Sequence, residues 1–180
     1  MVKTLVERSR QRHRMIVHGL CTLLVILGTI IAMMIYSNHW HQQQYFISHI
    51  QGPLVELQGI LEYQQTSSWN EPQLVSNQLY VLIASLDYGL QKNSYPSKLL
   101  SRSEYDQFQR LEAYLRALPN HKTYSSAQWD ELSIRRAEQL NDALKEAGLM
   151  MNTTISSAWS SFIDQIMILT KELDNAASLR

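Results

Sequence analysis

The sequence predicts an all-α protein: a single N-terminal transmembrane helix followed by an extracytoplasmic up-and-down bundle of four to five helices. Three observations carry this. Met15 to Tyr36, 22 residues, contains no Asp, Glu, Lys or Arg. The rest of the chain repeats apolar residues at three- and four-residue steps, the period of one helix face. Asn-Gly and Asp-Gly hairpin dipeptides are absent, and no stretch sustains the polar–apolar alternation of a strand.

The apolar run reaches roughly 33 Å as a helix, about the thickness of a bilayer's hydrocarbon core. It is longer than a signal-peptide core and ends in Tyr36-Ser37-Asn38-His39-Trp40 without a small-residue cleavage pattern. An uncleaved signal anchor over 15–36 follows. Residues 1–14 carry Lys3, Arg8, Arg10, Arg12 and Arg14 against Glu7 alone. Basic residues beside a span stay cytoplasmic, so 1–14 reads as a cytoplasmic tail and the C-terminal part as periplasmic or otherwise extracytoplasmic, anchored in the inner membrane of a bacterial cell. Tyr36, Trp40 and Tyr45 suit the outer interface. The next most apolar stretch, Phe162 to Leu169, contains Asp164 and Gln165 and is too short to span.

Residues 37–66 continue as a membrane-proximal helix with Phe46, Ile50, Leu54, Leu57 and Leu61 on one face, kinked or broken at Gly52-Pro53. Residues 67–180 form the bundle. Asn70 is a candidate cap and Pro72 a first-turn residue for a helix running to about Lys92, with Val75, Leu79, Leu82, Leu86 and Leu90 inward. A further helix starts near Ser101 or Ser103, with Glu104 and Asp106 in its first turn, presents Tyr105, Phe108, Leu111, Leu115 and Leu118, and ends at Pro119-Asn120. The next starts near Ser126, turns Trp129, Leu132, Ala137, Leu140 and Leu144 inward, and is closed by Gly148. In the last helix Ile155, Trp159, Phe162, Ile166, Leu169, Leu173 and Ala176 step by fours and threes, a heptad seam that serves either the bundle core or a parallel homodimer.

Composition bounds the chemistry. Sixteen basic and sixteen acidic residues give zero formal charge, which does not fit a strongly basic nucleic-acid binder. Cys21 is the one cysteine, so no intramolecular disulfide or Cys-based zinc site is expected. His39, His41 and His49 are the tempting metal set, but on one helix 39 and 41 point away from each other and 41 and 49 lie about 12 Å apart along the axis. His18 falls near the cytoplasmic end of the span and Cys21 reads as a small apolar residue. Gly28 and Ala32 form a small-xxx-small pair that suits close helix packing within the membrane. Asp87 is read as partly buried. Asn152-Thr153-Thr154 is a glycosylation-type triplet that serves equally as a helix cap. No nucleophile elbow, P-loop, dinucleotide fingerprint, HExxH or CxxC occurs.

The expectation is a non-catalytic protein without a cofactor. Its partners are the lipid bilayer and either another membrane protein or a second copy of itself, as an accessory or assembly subunit of a membrane complex. The alternative is a sensory or ligand-binding module. The organisation, a first membrane helix running on into a bundle, is similar to the outer four-helix domains of bacterial chemoreceptors and sensor kinases. It departs from them in having no second span and no cytoplasmic signalling domain.

Overall fold

The computed structural model describes residues 2–91, 94, 96–120 and 129–178, with the side chains of 2–17, 38, 39, 42 and 99 excepted. Six α-helices and no strand occur among the described residues. They are α1 (Val2–Phe46), α2 (Gly52–Thr66), α3 (Gln73–Leu90), α4 (Arg102–Arg116), α5 (Glu131–Glu146) and α6 (Trp159–Ser178). The chain divides into two compact units, Met1–His41 and Gln42–Arg180.

The first unit is helical from Val2 onward. Within it His18–Ser37 is long and apolar enough to cross a membrane, with none of its length buried. Thr22 and Thr29 return their hydroxyl protons to carbonyls one turn back, His18 at 2.8 Å and Ile26 at 2.7 Å. A helix in lipid requires this kind of internal satisfaction.

The second unit begins with the end of α1, and there the Gly52-Pro53 expectation resolves into a mechanism. Proline has no N–H for the α ladder and its ring collides with the preceding turn. The helix answers by widening: Ile47–Gln51 is π-helical, and the Gly52 N–H donates to the Ile47 carbonyl. Pro53 then sits in the first turn of α2, where its missing N–H leaves no bond unmade. The apolar stripe is carried through this bulge intact. Phe46, Ile50, Leu54, Leu57 and Leu61 are all buried.

Helix ends follow side-chain chemistry, with corrections to the expected boundaries. Pro72, not Asn70, immediately precedes α3, which stops at Leu90. Ser101 caps α4 in a reciprocal box: its Oγ accepts from the Glu104 N–H at 3.2 Å and the Glu104 carboxylate accepts from the Ser101 N–H at 2.7 Å. Replacing Ser101 by alanine is expected to cost about 1 kcal/mol in chemical denaturation. The Ser125-Ser126 start lies outside the described residues. Within them α5 begins at Glu131, with the Asp130 carboxylate accepting from the Ser133 N–H at 2.8 Å. The Ser133 hydroxyl first, and this N–H bond second, hold the Asp130 carboxyl below its ordinary range. Trp129 therefore precedes the helix, and Leu132, expected inside, is 48% exposed.

Gly148 closes α5 at φ +71°. Its N–H donates to the Lys145 carbonyl and that of Leu149 to the Leu144 carbonyl, both at 2.9 Å, the pair of bonds that a left-handed C-terminal residue creates. The α2 end uses the same device without glycine. Ser68 and Trp69 both take φ +57°, and the Trp69 N–H reaches the Gln64 carbonyl at 2.9 Å. A bulky residue is rarely found there, and Trp69 is held by its ring contact with Trp129, 5.2 Å between centroids.

In the second unit α2 packs on α3, α3 on α4, α4 on α6, α6 on α5 and α5 on α2, so the five helices form a circuit around one core. Each of these helices gives the core about one residue per turn. Val75, Leu79, Leu82 and Leu86 come from α3, Phe108, Leu111 and Leu115 from α4, and Ala137, Leu140 and Leu144 from α5.

Candidate functional site: an exposed apolar helix, an aromatic cluster and a polar seam

Of the expected membrane features, Arg8, Arg10, Arg12 and Arg14 fall within α1, and their side chains lie outside the described residues. Gly28 and Ala32 are exposed on α1, and a Cβ added to Gly28 would meet nothing within 4 Å. Leu23, Leu24, Val25, Ile26 and Leu27 are each at least half exposed, so apolar side chains are exposed around the whole circumference of this helix.

The heptad seam is placed as follows. Phe162, Ile166, Leu169 and Leu173 are buried, and Trp159 is half-buried at the first position of α6. These residues face the chain's own core, between α4 and α5. Ile155 is a correction: it lies before α6, in the connection from α5, so the helical part of the seam starts at Trp159. Its periodicity continued past the true helix start because a connection can keep an apolar residue four positions back without keeping helical backbone.

Around Trp159 the apolar stripes of three helices meet in an aromatic cluster. Phe46 stacks on Phe108 at 4.9 Å, Phe108 lies 5.9 Å from Phe162, and Trp159 lies 5.8 Å from Phe46. The Trp159 indole N–H donates to Glu104 at 3.0 Å, so the residue that completes the α4 capping box also anchors α6. Tyr45, expected at an interface, packs in the second unit. Its hydroxyl donates to the Ser85 carbonyl at 2.9 Å and its ring stacks on His49 at 4.6 Å. Burial first, and the neighbouring Tyr88 second, push the Tyr45 phenol above its ordinary value. Gly89 lets the rings approach closely: a Cβ there would lie 3.1 Å from the Phe46 ring and 3.2 Å from the Tyr45 ring, so both rings would have to give by a few tenths of an ångström.

The feature that sequence reasoning missed is a polar seam along α2 and the π-helical turn before it. Gln51, Gln58 and Gln65 recur every seven residues. Gln51 and Gln58 are buried. The Gln51 amide donates to Gln165 at 2.9 Å and to the Ser156 carbonyl at 3.2 Å. Gln58 donates to Glu62 at 3.0 Å and to buried Asn141 at 3.3 Å, and accepts from the Met151 N–H at 3.2 Å. Asn141 in turn donates to Gln65 at 2.8 Å. Lys145 reaches Glu62 at 3.3 Å. The Gln58 and Lys145 bonds together hold the Glu62 carboxyl below its ordinary range. This seam fixes the α5–α6 connection against α2. The seven-residue recurrence of glutamine was the available signal.

Other groups are less organised. His49 Nδ1 lies 2.7 Å from the Ser48 hydroxyl and 3.1 Å from the Tyr45 carbonyl. The side chain of His39 is outside the described residues, and among those described no three His, Cys, Asp or Glu side chains gather as metal ligands would. Asp87, expected partly buried, is 53% exposed and paired with Arg116, which also binds Glu112 at 2.7 Å. A groove of about 260 Å³ between α4 and α6, edged by Arg110, Tyr114, Thr170 and Asp174, is smaller than most small-molecule sites. No family model, no curated protein and no solved structure matches this chain.

Proposed function

We propose that the chain is a single-pass membrane protein with its N-terminus in the cytoplasm and residues 42–180 outside it, in the periplasm if the cell is bacterial. In this reading α2 to α6 form an up-and-down bundle that acts by protein–protein contact, as an accessory or assembly subunit of a membrane complex, without catalysis of its own. The observation that carries the reading is the wholly exposed apolar helix His18–Ser37 on a chain whose remaining helices bury their stripes in a separate compact unit. An exposed helix of that length and composition has lipid as its natural solvent. An outer domain tethered at the membrane by such a helix can act by contact with another protein.

Purification of the tagged chain from native membranes, at endogenous expression and after mild detergent extraction, tests this. The expected result is recovery in the membrane fraction together with a second membrane protein, or with untagged copies of the chain, at near-equal amounts. Recovery in the soluble fraction, or of the tagged chain alone, would overturn it.

A further inference from the structure

Helix α2 carries a glycine in its interior, Gly59. Glycine weakens a helix there, and its use is to let another group come close to the backbone. At Gly59 that group is Met151, from the connection between α5 and α6. A Cβ built on Gly59 would lie 2.7 Å from the Met151 Sδ and 3.7 Å from its Cβ and Cγ, so the thioether rests in the notch that the missing side chain leaves. Met151 is tied at the same place by its backbone, because its N–H donates to the Gln58 Oε1 at 3.2 Å. The residue is nonetheless 67% exposed. Of the other two methionines in the second unit, Met167 is 49% exposed and Met150 is half-buried.

We propose that Met151 is a site of oxidation by hydroperoxides, and that its sulfoxide releases the α5–α6 connection from α2. A sulfur lone pair attacks one oxygen of hydrogen peroxide and the O–O bond breaks. The other oxygen leaves with both protons as water, so sulfur loses two electrons and the peroxide gains them. Two thiols reverse the step, giving a disulfide and water. The product carries a polar oxygen where the thioether was soft and apolar. Within a helix interior the backbone N–H groups are spent on carbonyls one turn back, so the wall at Gly59 offers that oxygen no donor. Water offers several, and the side chain swings out of the notch. The Met151 N–H then loses the contact that holds it beside Gln58. Gln58 keeps its bonds to Glu62 and Asn141, so α2 stays on α5 while the connection loosens. All of these contacts lie within the second unit, and the inference stands apart from the membrane-anchored reading.

Dilute hydrogen peroxide on the full chain in micelles, followed by peptide mass spectrometry and amide hydrogen exchange, tests this. One added oxygen is expected at Met151 ahead of Met167 and Met150. Exchange at the Met151 N–H should rise about tenfold on oxidation. Met151→Leu keeps an apolar side chain that cannot take up oxygen, so peroxide should leave exchange at 151 unchanged. Gly59→Ala fills the notch. Its exchange at 151 should be raised to the same degree before any peroxide is added, and oxidation should add nothing. Oxidation of Met167 ahead of Met151, or exchange at 151 indifferent to oxidation, would overturn the proposal. So would the same rise in peroxide-treated Met151→Leu, or a further rise in Gly59→Ala.

Discussion

Truncating Phe162 to alanine is expected to lower the stability of the outer unit by about 3–5 kcal/mol, a large share of what a domain of this size possesses. The ring has no exposed surface and lies at the meeting of three stripes, 5.9 Å from Phe108 and 6.1 Å from Trp159. The neighbours that would have to collapse into the void are themselves held rings, Phe46 stacked on Phe108 and Trp159 hydrogen-bonded to Glu104. Rigid walls relax little, so the cavity term stays near its upper range. Ile166→Ala, one turn on and equally buried, should cost about 2–5 kcal/mol. Met167→Ala is the internal control: Met167 is 49% exposed, and the change should stay within about 0.5 kcal/mol. Denaturant melts of the full chain in micelles measure all three. Midpoints independent of protein concentration place Phe162 in an intrachain core. A midpoint that falls on dilution, with Phe162→Ala removing that dependence, would instead make the seam an intermolecular contact.

The core was legible because burial is set by a local period. Phe46, Ile50, Leu54, Leu57 and Leu61 needed only helical spacing to be recognised, and the π-helical turn at Ile47–Gln51 absorbed the Pro53 defect without rotating the stripe away from the core. Boundaries were less legible because several residues can serve one end. The start of α5 was drawn from Ser126, and the structure has the Asp130 carboxylate on the Ser133 N–H. Leu132 was drawn inward by the same misplaced start. The interior polar groups were least legible. A glutamine reads as solvated until its partner is known, and the partners of Gln51 and Gln58 are Gln165 and Asn141, more than 80 positions away. Nothing local distinguishes such a residue from exposed Gln73, only its recurrence at seven.

Replacing Arg8, Arg10, Arg12 and Arg14 together by glutamate is expected to invert or abolish insertion. A reporter fused after Arg180 should be active outside the cytoplasm in the parent chain and lose most of that activity in the variant. The argument is a charge count on the two sides of the apolar helix. Residues 1–14 hold five basic side chains against Glu7, and the substitution leaves Lys3 alone against five glutamates. On the other side, no Lys or Arg occurs from Met15 until Lys92. Orientation is governed by basic residues within about 15–20 positions of the span's ends, while charges in a long following domain have little influence. The four arginines therefore supply nearly the whole asymmetry. Glutamate at Arg135, exposed on α5, is the matched control, since it changes net charge far from the span and should leave the reporter where it was. If all four arginines can become glutamate while the reporter stays fully active outside, the arginines do not orient this chain. The cytoplasmic assignment of its N-terminus then loses its physical basis.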